Sequence, residues 1–535
     1  MVFAAVKIAA VAAIVACGAL GMQLPPQHAR GGELFADLVK NSISLGSESH
    51  QEQWFQQQLD HFTTKEPLHF LQRYYVDDTY WGNHDNNPII LYIGGEAPMD
   101  TMPKGFIDVL AKEHNAKVVA LEHRFYGKST PKNDLSTENL RFLSIEQALA
   151  DLNHFIQEYT KQLDTKNNPW IAVGGSYPGA LSAWFRIAYP NATVASISSS
   201  GVVKPIYNFH GFDEQVAESV GPECADSLRR ITAAYEAEIA AGRGKQVKAL
   251  FGAEALNDPD FFYMLADSAA MAVQYGTKDK LCGPMVAAVK ANVSLTEAFA
   301  NFTLAKYGKE FGYGCFYDTG CLKSNVERWP EGRSWRWQKC SQVAFFQVAP
   351  HVGSLRSSIV DLEYHENQCF EIFGDAVDPS AGVAENIQRY GGDNPQGHNI
   401  FYANAGDDPW QRASVTTSLS EDQPFYLAKC DLCGHCGDLH NGTADPAPRK
   451  YQKELIREYI AKWLAPWTSQ VAADARVNAA AVNYTPNVSG QSLNHASEVS
   501  FLILTPILCL FVAFKAIMHV DLVRDAAVTV RTSLL

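Results

Sequence analysis

A serine set among glycines, an aspartate before Pro-Trp and a histidine in a cysteine-rich loop are the residues of this chain best placed for nucleophilic chemistry. Gly174-Gly175-Ser176-Tyr177-Pro178-Gly179 follows the apolar run Trp170-Ile171-Ala172-Val173 and precedes Ala180 to Arg186, which reads as a helix. Strand, Gly-flanked Ser and helix form the nucleophile elbow of α/β-hydrolases: a tight turn lifts the hydroxyl to the sheet top, with a backbone N–H behind it and a helix N-terminus beneath it. One departure stands out. The usual pattern has Gly two residues after the Ser, where this chain has Pro178, with Gly179 one later. The alternative is a Gly-rich strand-to-helix turn without chemical work.

An elbow Ser needs a base, and the base an orienting carboxylate; in this architecture they follow in the order Ser, Asp or Glu, His. Asn399 to Asn404 reads as a strand that delivers Ala405-Gly406-Asp407-Asp408-Pro409-Trp410, and Pro424 to Ala428 as the next, delivering Cys430-Asp431-Leu432-Cys433-Gly434-His435-Cys436. Each candidate follows the carboxyl end of a strand, where open α/β sheets place their sites. The expected assignment is Ser176 as nucleophile, His435 as general base and acid, and Asp408 as the carboxylate that orients His435. Asp407 is the rival carboxylate and His440 the rival base; the plain alternatives are a capping carboxylate before Pro and a surface histidine. Gly94-Gly95-Glu96 ends an earlier strand, so the oxyanion donors are expected to be the Tyr177 N–H and the N–H of Gly95 or Glu96. Glu96 is also a candidate for binding a substrate amine or for an ion pair with Arg124. Cys430, Cys433 and Cys436 with His435 would make a zinc site only at unusually tight spacing, so no metal is expected. Nor is any cofactor.

The elements that must position these residues alternate. Phe70 to Val76, Pro88 to Ile93, Ala116 to Leu121, Trp170 to Val173 and Val194 to Ser200 read as strands. Phe106 to His114 and Ser144 to Thr160 read as helices, the second with Ile145, Ala148, Leu149, Leu152 and Phe155-Ile156 on one face. Such alternation predicts a parallel α/β sheet. Residues 205–390 carry helical stretches (Glu214 to Ala241, Asp260 to Tyr275, Gly283 to Leu304) and six cysteines without clear parallel-strand runs, the pattern of an inserted, disulfide-stapled helical cap. The expected fold is therefore an α/β-hydrolase core in two parts, 23–204 and 391–465, closed by the helix Arg449 to Leu464.

Net charge is −14 over 535 residues, which excludes the basic footprint of a nucleic-acid binder. Residues 1–22 read as a signal peptide: Lys7, then an apolar stretch too short to span a bilayer, then small residues. Six sequons, at Asn191, Asn292, Asn301, Asn441, Asn483 and Asn487, agree with lumenal entry. Outside the signal and the C-terminal apolar stretch nine cysteines remain, an odd number. Residues 466–498 look like a glycosylated stalk. Residues 499–518 have the length and apolarity of a single membrane span; Lys515, Arg524 and Arg531 lie at its end and in the short tail 519–535, while the upstream flank lacks Lys and Arg.

Several motifs together resemble a known family. Gln57-Gln58-Leu59-Asp60-His61-Phe62, Leu121 to Gly127, Phe142-Leu143-Ser144 with Gln147 to Asp151, the Gly-Gly-Ser-Tyr elbow and Asp408-Pro409-Trp410 are similar to the serine peptidases of lysosomal prolyl carboxypeptidase and dipeptidyl peptidase II, the thymus-specific serine protease branch above all. The likeness spans roughly Trp54 to Leu464 and thins in the cap, where Trp335-x-Trp337-Gln338-x-Cys340 and Cys369 stand out. It implies that Ser176, Asp408 and His435 are the triad, that Cys340 and Cys369 are bridged, and that the substrate is a short peptide cleaved next to proline from one chain end, with Trp410 beside the proline ring. Cys433 and Cys436 crowd His435, and a Cys433–Cys436 or Cys430–Cys436 bridge would stiffen that loop. The alternatives are an esterase or lipase on the same residues and an inactive hydrolase used as a binding module. Location in a lysosome or vacuole, in the extracellular space or at the cell surface, the chain end attacked and the oligomeric state, a dimer included, stay open.

Overall fold

The computed structural model describes residues 51–327, 331–442 and 444–482. Eight strands form one sheet: β1 (Gln53–Gln58), β2 (His69–Asp77), β3 (Ile89–Ile93), β4 (Lys117–Leu121), β5 (Trp170–Gly175), β6 (Ala195–Ser199), β7 (Ile400–Ala405) and β8 (Phe425–Ala428). Their order is β1-β2-β4-β3-β5-β6-β7-β8. The first two pairings, β1 with β2 and β2 with β4, are antiparallel, and every later one is parallel. This is the α/β-hydrolase architecture.

Continuous apolar runs form the central strands because both faces are covered. Successive side chains alternate, so Ile89, Leu91 and Ile93 enter one hydrophobic cluster while Ile90 and Tyr92 enter the other. One cluster takes helix α1 (Phe106–His114). The other takes α2 (Ile145–Thr160) and α3 (Tyr177–Ala188). Helix α2 begins where Ser144 accepts the Gln147 N–H.

The family motifs at β1, β4 and α2 meet in a buried ion network. Arg124 donates to both oxygens of Asp151 at 2.6 Å, and to the carbonyls of Leu59, Phe142 and Gln58. His61 contacts the same Asp151 at 2.8 Å, and its N–H donates to Gln147. These residues lock β1 onto α2 beneath the sheet end that carries the site.

Between β6 and β7 the regular elements of the described residues are helices, apart from an isolated bridge between Ile206 and Ala344. The long stretches expected there break at specific residues. Glu214 to Ala241 is two helices, α4 (His210–Val220) and α5 (Pro222–Glu238), separated by Gly221 at φ 76° with Pro222 opening the second. The stretch Asp260 to Tyr275 corresponds to α6 (Asp258–Gln274), which Asn257 caps at its start and Tyr275 follows at its end. Gly283 to Leu304 is α7 (Lys278–Ala291) and α8 (Leu295–Tyr307), broken at left-handed Asn292. Next come α9 (Gly332–Gln338), α10 (Leu362–Phe373) and α11 (Pro379–Tyr390). Disulfides join Cys224 to Cys282, Cys315 to Cys321 and Cys340 to Cys369. Cap helices share a hydrophobic cluster with α2 and α3, so cap and sheet are one packed body.

The closing helix differs from expectation. Helix α12 runs Ala447–Val482, past Leu464 and through Pro466 into the segment read as the start of a stalk. Alanines at 472, 473, 475 and 479–481 give that stretch helix propensity. The chain divides into two compact units, residues 1–474 and 475–535; of the second only the helical residues 475–482 are described. The expected signal peptide 1–22, Asn483 and Asn487, the apolar 499–518 and the tail 519–535 lie outside the described residues. Among the described residues no helix is long and apolar enough to cross a membrane.

Candidate active site

The turn between β5 and α3 holds Ser176 at φ 67° and ψ −128°, a conformation that non-glycine residues rarely adopt. The neighbours must be small. A Cβ on Gly174 would lie 2.1 Å from the Pro178 carbonyl oxygen, and one on Gly179 would lie 2.6 Å from the Ser199 carbonyl oxygen. Pro178 fits in the first turn of α3, where its missing N–H leaves no acceptor stranded. It also explains Gly95: a Cβ there would meet the Pro178 Cγ at 2.5 Å. The departure from the usual elbow therefore has a partner in the glycine loop after β3. The Tyr177 N–H, first in α3, has no acceptor within the helix and stays available at the turn.

Past β7, Asp408 caps the short helical turn Pro409–Ala413. Its Oδ1 accepts the Trp410 N–H at 3.0 Å and its Oδ2 pairs with His435 Nδ1 at 2.7 Å. The capping role weighed as the plain alternative is therefore combined with contact to the histidine. The rivals lead elsewhere. Asp407 pairs with Lys278 at 2.8 Å, and Lys278 also reaches Asp431. The His440 carbonyl accepts from Lys453, and His440 is absent from the cavity wall described next.

Ser176, Tyr177, His435, Glu96 and Trp410 line one cavity. The His435 Nε2 is buried there with no hydrogen-bond partner among the described residues. Burial pushes the His435 imidazole down in pKa, but Asp408, helped by Cys436, outweighs it and holds the group well above the ordinary histidine value. Burial raises Glu96 to about 7. Among the described residues Glu96 has no ion pair. The alternative pairing with Arg124 is not formed, because Arg124 is bound to Asp151. Glu122, next in sequence to His123, is taken by Arg73 and also accepts the Met99 N–H at 2.9 Å, which braces the loop after Glu96. Trp410 packs against Phe212 and Phe345 and donates its Nε1–H to Gln274 at 3.0 Å.

The histidine loop is held by the cap, which nothing in the local sequence announces. The His435 N–H donates to the Gln274 carbonyl at 2.7 Å, and Gly434 is glycine because a Cβ would lie 2.4 Å from that oxygen. Cys430 and Cys433 form the loop's disulfide, not either pairing with Cys436 considered from the sequence. Cys436 adopts φ 53°, its thiol lies against Gly175, and among the described residues it is the free cysteine. Two further residues were missed. Gln338 donates to the Tyr177 hydroxyl at 2.7 Å, and His123 contacts the same hydroxyl at 3.2 Å, fixing the elbow tyrosine between core and cap. Their only sequence signal was membership of the motifs Trp335 to Cys340 and Leu121 to Gly127. Asn191, Asn292, Asn301 and Asn441 are exposed.

Residues 57–456 match the family model described as serine carboxypeptidase S28. The chain is 40% identical over 406 residues to the probable serine protease EDA2 of Arabidopsis thaliana, covering 74% of this chain and 82% of that one. It is 28% identical over 451 residues to the human thymus-specific serine protease, covering 77% and 86%. A proline iminopeptidase of Mycobacterium smegmatis aligns over 77% of this chain and 99% of its own at 12% identity and a TM-score of 0.36, a likeness too low to carry any argument. By the extent of the family match and the 40% relative, the chain belongs to the serine carboxypeptidase S28 family, and so to the serine-type peptidases.

Proposed function

We propose that the protein is a serine exopeptidase that hydrolyses short peptides next to proline, with Ser176, His435 and Asp408 as its triad. The observation that carries this reading is the single cavity shared by Ser176 and His435, with the far side of the imidazole held by Asp408 at 2.7 Å. In the reaction His435 Nε2 takes the Ser176 proton as Oγ attacks the scissile carbonyl, and Asp408 stabilises the imidazolium. The tetrahedral oxyanion turns to the Tyr177 N–H and the N–H of Gly95 or Glu96. His435 then protonates the leaving amine, and water repeats the cycle on the acyl-enzyme. Trp410, Phe212 and Phe345 offer an aromatic wall to a proline ring. The helical cap narrows access, which favours short peptides.

Exposed sequons at Asn191, Asn292, Asn301 and Asn441 and four disulfides support passage through an oxidising secretory compartment. The test is fluorophosphonate labelling of the purified protein, followed by a panel of peptides with proline at each position from either end. Labelling lost in Ser176→Ala, with cleavage confined to bonds beside proline, is the expected result. Labelling that persists in Ser176→Ala, or hydrolysis of acyl esters but no peptide, would overturn the reading.

A further inference from the structure

The cavity wall opposite the elbow contains a buried lysine. Lys339 follows α9 in a π-helical segment, Lys339–Val343, and is 2% exposed, yet it lines the same cavity as Ser176 and His435. Its Nζ touches only neutral acceptors, the Tyr263 hydroxyl at 3.0 Å and Gln347 Oε1 at 3.3 Å, and lies near the faces of the Tyr263 and Phe346 rings. Among the described residues no carboxylate stands within ion-pair distance. The acid on the same wall, Asp267, is committed to Arg356 at 3.4 Å and to the Tyr317 hydroxyl at 3.2 Å, while Asp213 takes the rest of Arg356. Arg336 and Arg356 lie over the Tyr263 ring behind the cavity wall, adding positive charge beside Lys339.

A buried ammonium with no carboxylate in contact is costly: burial together with Arg336 pushes the Lys339 pKa well down, and the charge of Asp267 offsets only part of this. An arriving anion reverses that cost. Two further features mark the segment as held in place rather than merely packed. The π turn is of a kind that recurs at functional sites, and Ala344 and Phe345 after it take positive φ, 51° and 49°. Phe345 itself faces the cavity.

Building on the peptidase assignment above, we propose that Lys339 is the specificity-determining residue of this cavity and seats a carboxylate of the substrate. The two sources of that carboxylate are the free C-terminus and an acidic side chain; a seated C-terminus makes the enzyme a carboxypeptidase and not an aminodipeptidase. A charge-assisted contact of this kind is worth about 10- to 100-fold in binding.

The test compares kcat/KM for matched proline-containing peptides ending in a free acid or an amide, and for pairs carrying Glu or Gln after the proline, in the wild type, Lys339→Met and Lys339→Arg. Each ratio is taken within one preparation, so loss of folded protein cancels, and active sites are counted by fluorophosphonate. The wild type should prefer the carboxylate member of one pair, through KM. That preference should fall about 10- to 100-fold in Lys339→Met and return in part in Lys339→Arg. Acid-over-amide preference assigns the chain end; Glu-over-Gln preference assigns the side chain; both uphold the seat. Equal ratios in the wild type and Lys339→Met, with labelling and cleavage intact, overturn it. Absence of labelling and of all peptide cleavage would instead overturn the peptidase assignment itself.

Discussion

Gly95→Ala should disable this site through a single contact, and Pro178→Ala should restore it. The Cβ added at 95 would sit 2.5 Å from Pro178 Cγ and 2.9 Å from Cδ, with no other atom of the described residues beyond its two chain neighbours within 4 Å. Carbon atoms prefer about 3.5–4.0 Å, so the overlap is roughly 1 Å. The pyrrolidine ring is closed on its own backbone in the first turn of α3 and cannot swing aside, so the loop after β3 must move. That loop carries the N–H groups of Gly95 and Glu96. Displacing catalytic groups by about 1 Å costs on the order of 100-fold, and losing an oxyanion donor altogether costs about 3–4 kcal/mol. The expected kcat on a proline peptide is therefore about 100-fold down in Gly95→Ala, with KM little changed. Alanine at 178 has neither Cγ nor Cδ. Pro178→Ala alone should stay near wild type, and the double variant should recover most of the lost rate, a strongly non-additive pair. Steady-state kinetics, fluorophosphonate labelling rates and thermal unfolding of the four proteins make the cycle. Near-wild-type kcat in Gly95→Ala, or a double variant no faster than Gly95→Ala, would refute the reasoning.

Other perturbations follow from the same geometry. Asp408→Asn should lower kcat by about 10⁴-fold, and the acid limb of kcat/KM against pH should move to lower pH, because Asp408 is what raises His435; an unmoved limb would count against the pairing. Glu96 is raised from 4.5 to about 7 in the folded protein, so its contribution to stability is complete below pH 4.5 and lost as pH rises through 7. Glu96→Gln should therefore be more stable than wild type above neutrality, by up to about 3 kcal/mol, and show no such gain at pH 4, measured by denaturant unfolding at both pH values. Asp151→Ala strands Arg124, whose side chain is 0% exposed, and should cost about 3–5 kcal/mol in unfolding free energy while leaving turnover per labelled site unchanged.

The fold was legible where local chemistry and tertiary demand agree. Ile89 to Ile93 is apolar throughout because two helical layers cover it, and that is visible as a run. Phe106 to His114 keeps its bounds because its amphipathic spacing and its terminus at Asn115 are local. Helix breaks at Gly221 and Asn292 were also written in the residues, as a Gly-Pro step and a left-handed Asn, but the surrounding periodicity masked them. The extension of α12 beyond Pro466 enters a stretch whose Ala, Asn, Ser and Val content and two sequons read as a stalk, although its alanines also favour helix.

The order Ser, Asp, His and the placement of each residue after a strand could be read from one dimension, because sheet topology fixes which strand ends share an edge. What the chain alone could not decide was contact. Asp407 and Asp408 are adjacent and chemically equal, yet one turns to Lys278 and the other to His435, a choice made by the cap helix that supplies Lys278. Glu96 and Arg124 carry opposite charges on neighbouring strand ends, yet Asp151 on α2 claims the arginine. Lys339 would pass for a surface lysine until packing buries it on the cavity wall. In each case the partner comes from a distant segment, and side-chain contacts between segments are set by how helices pack on the sheet, a property that no local spacing encodes.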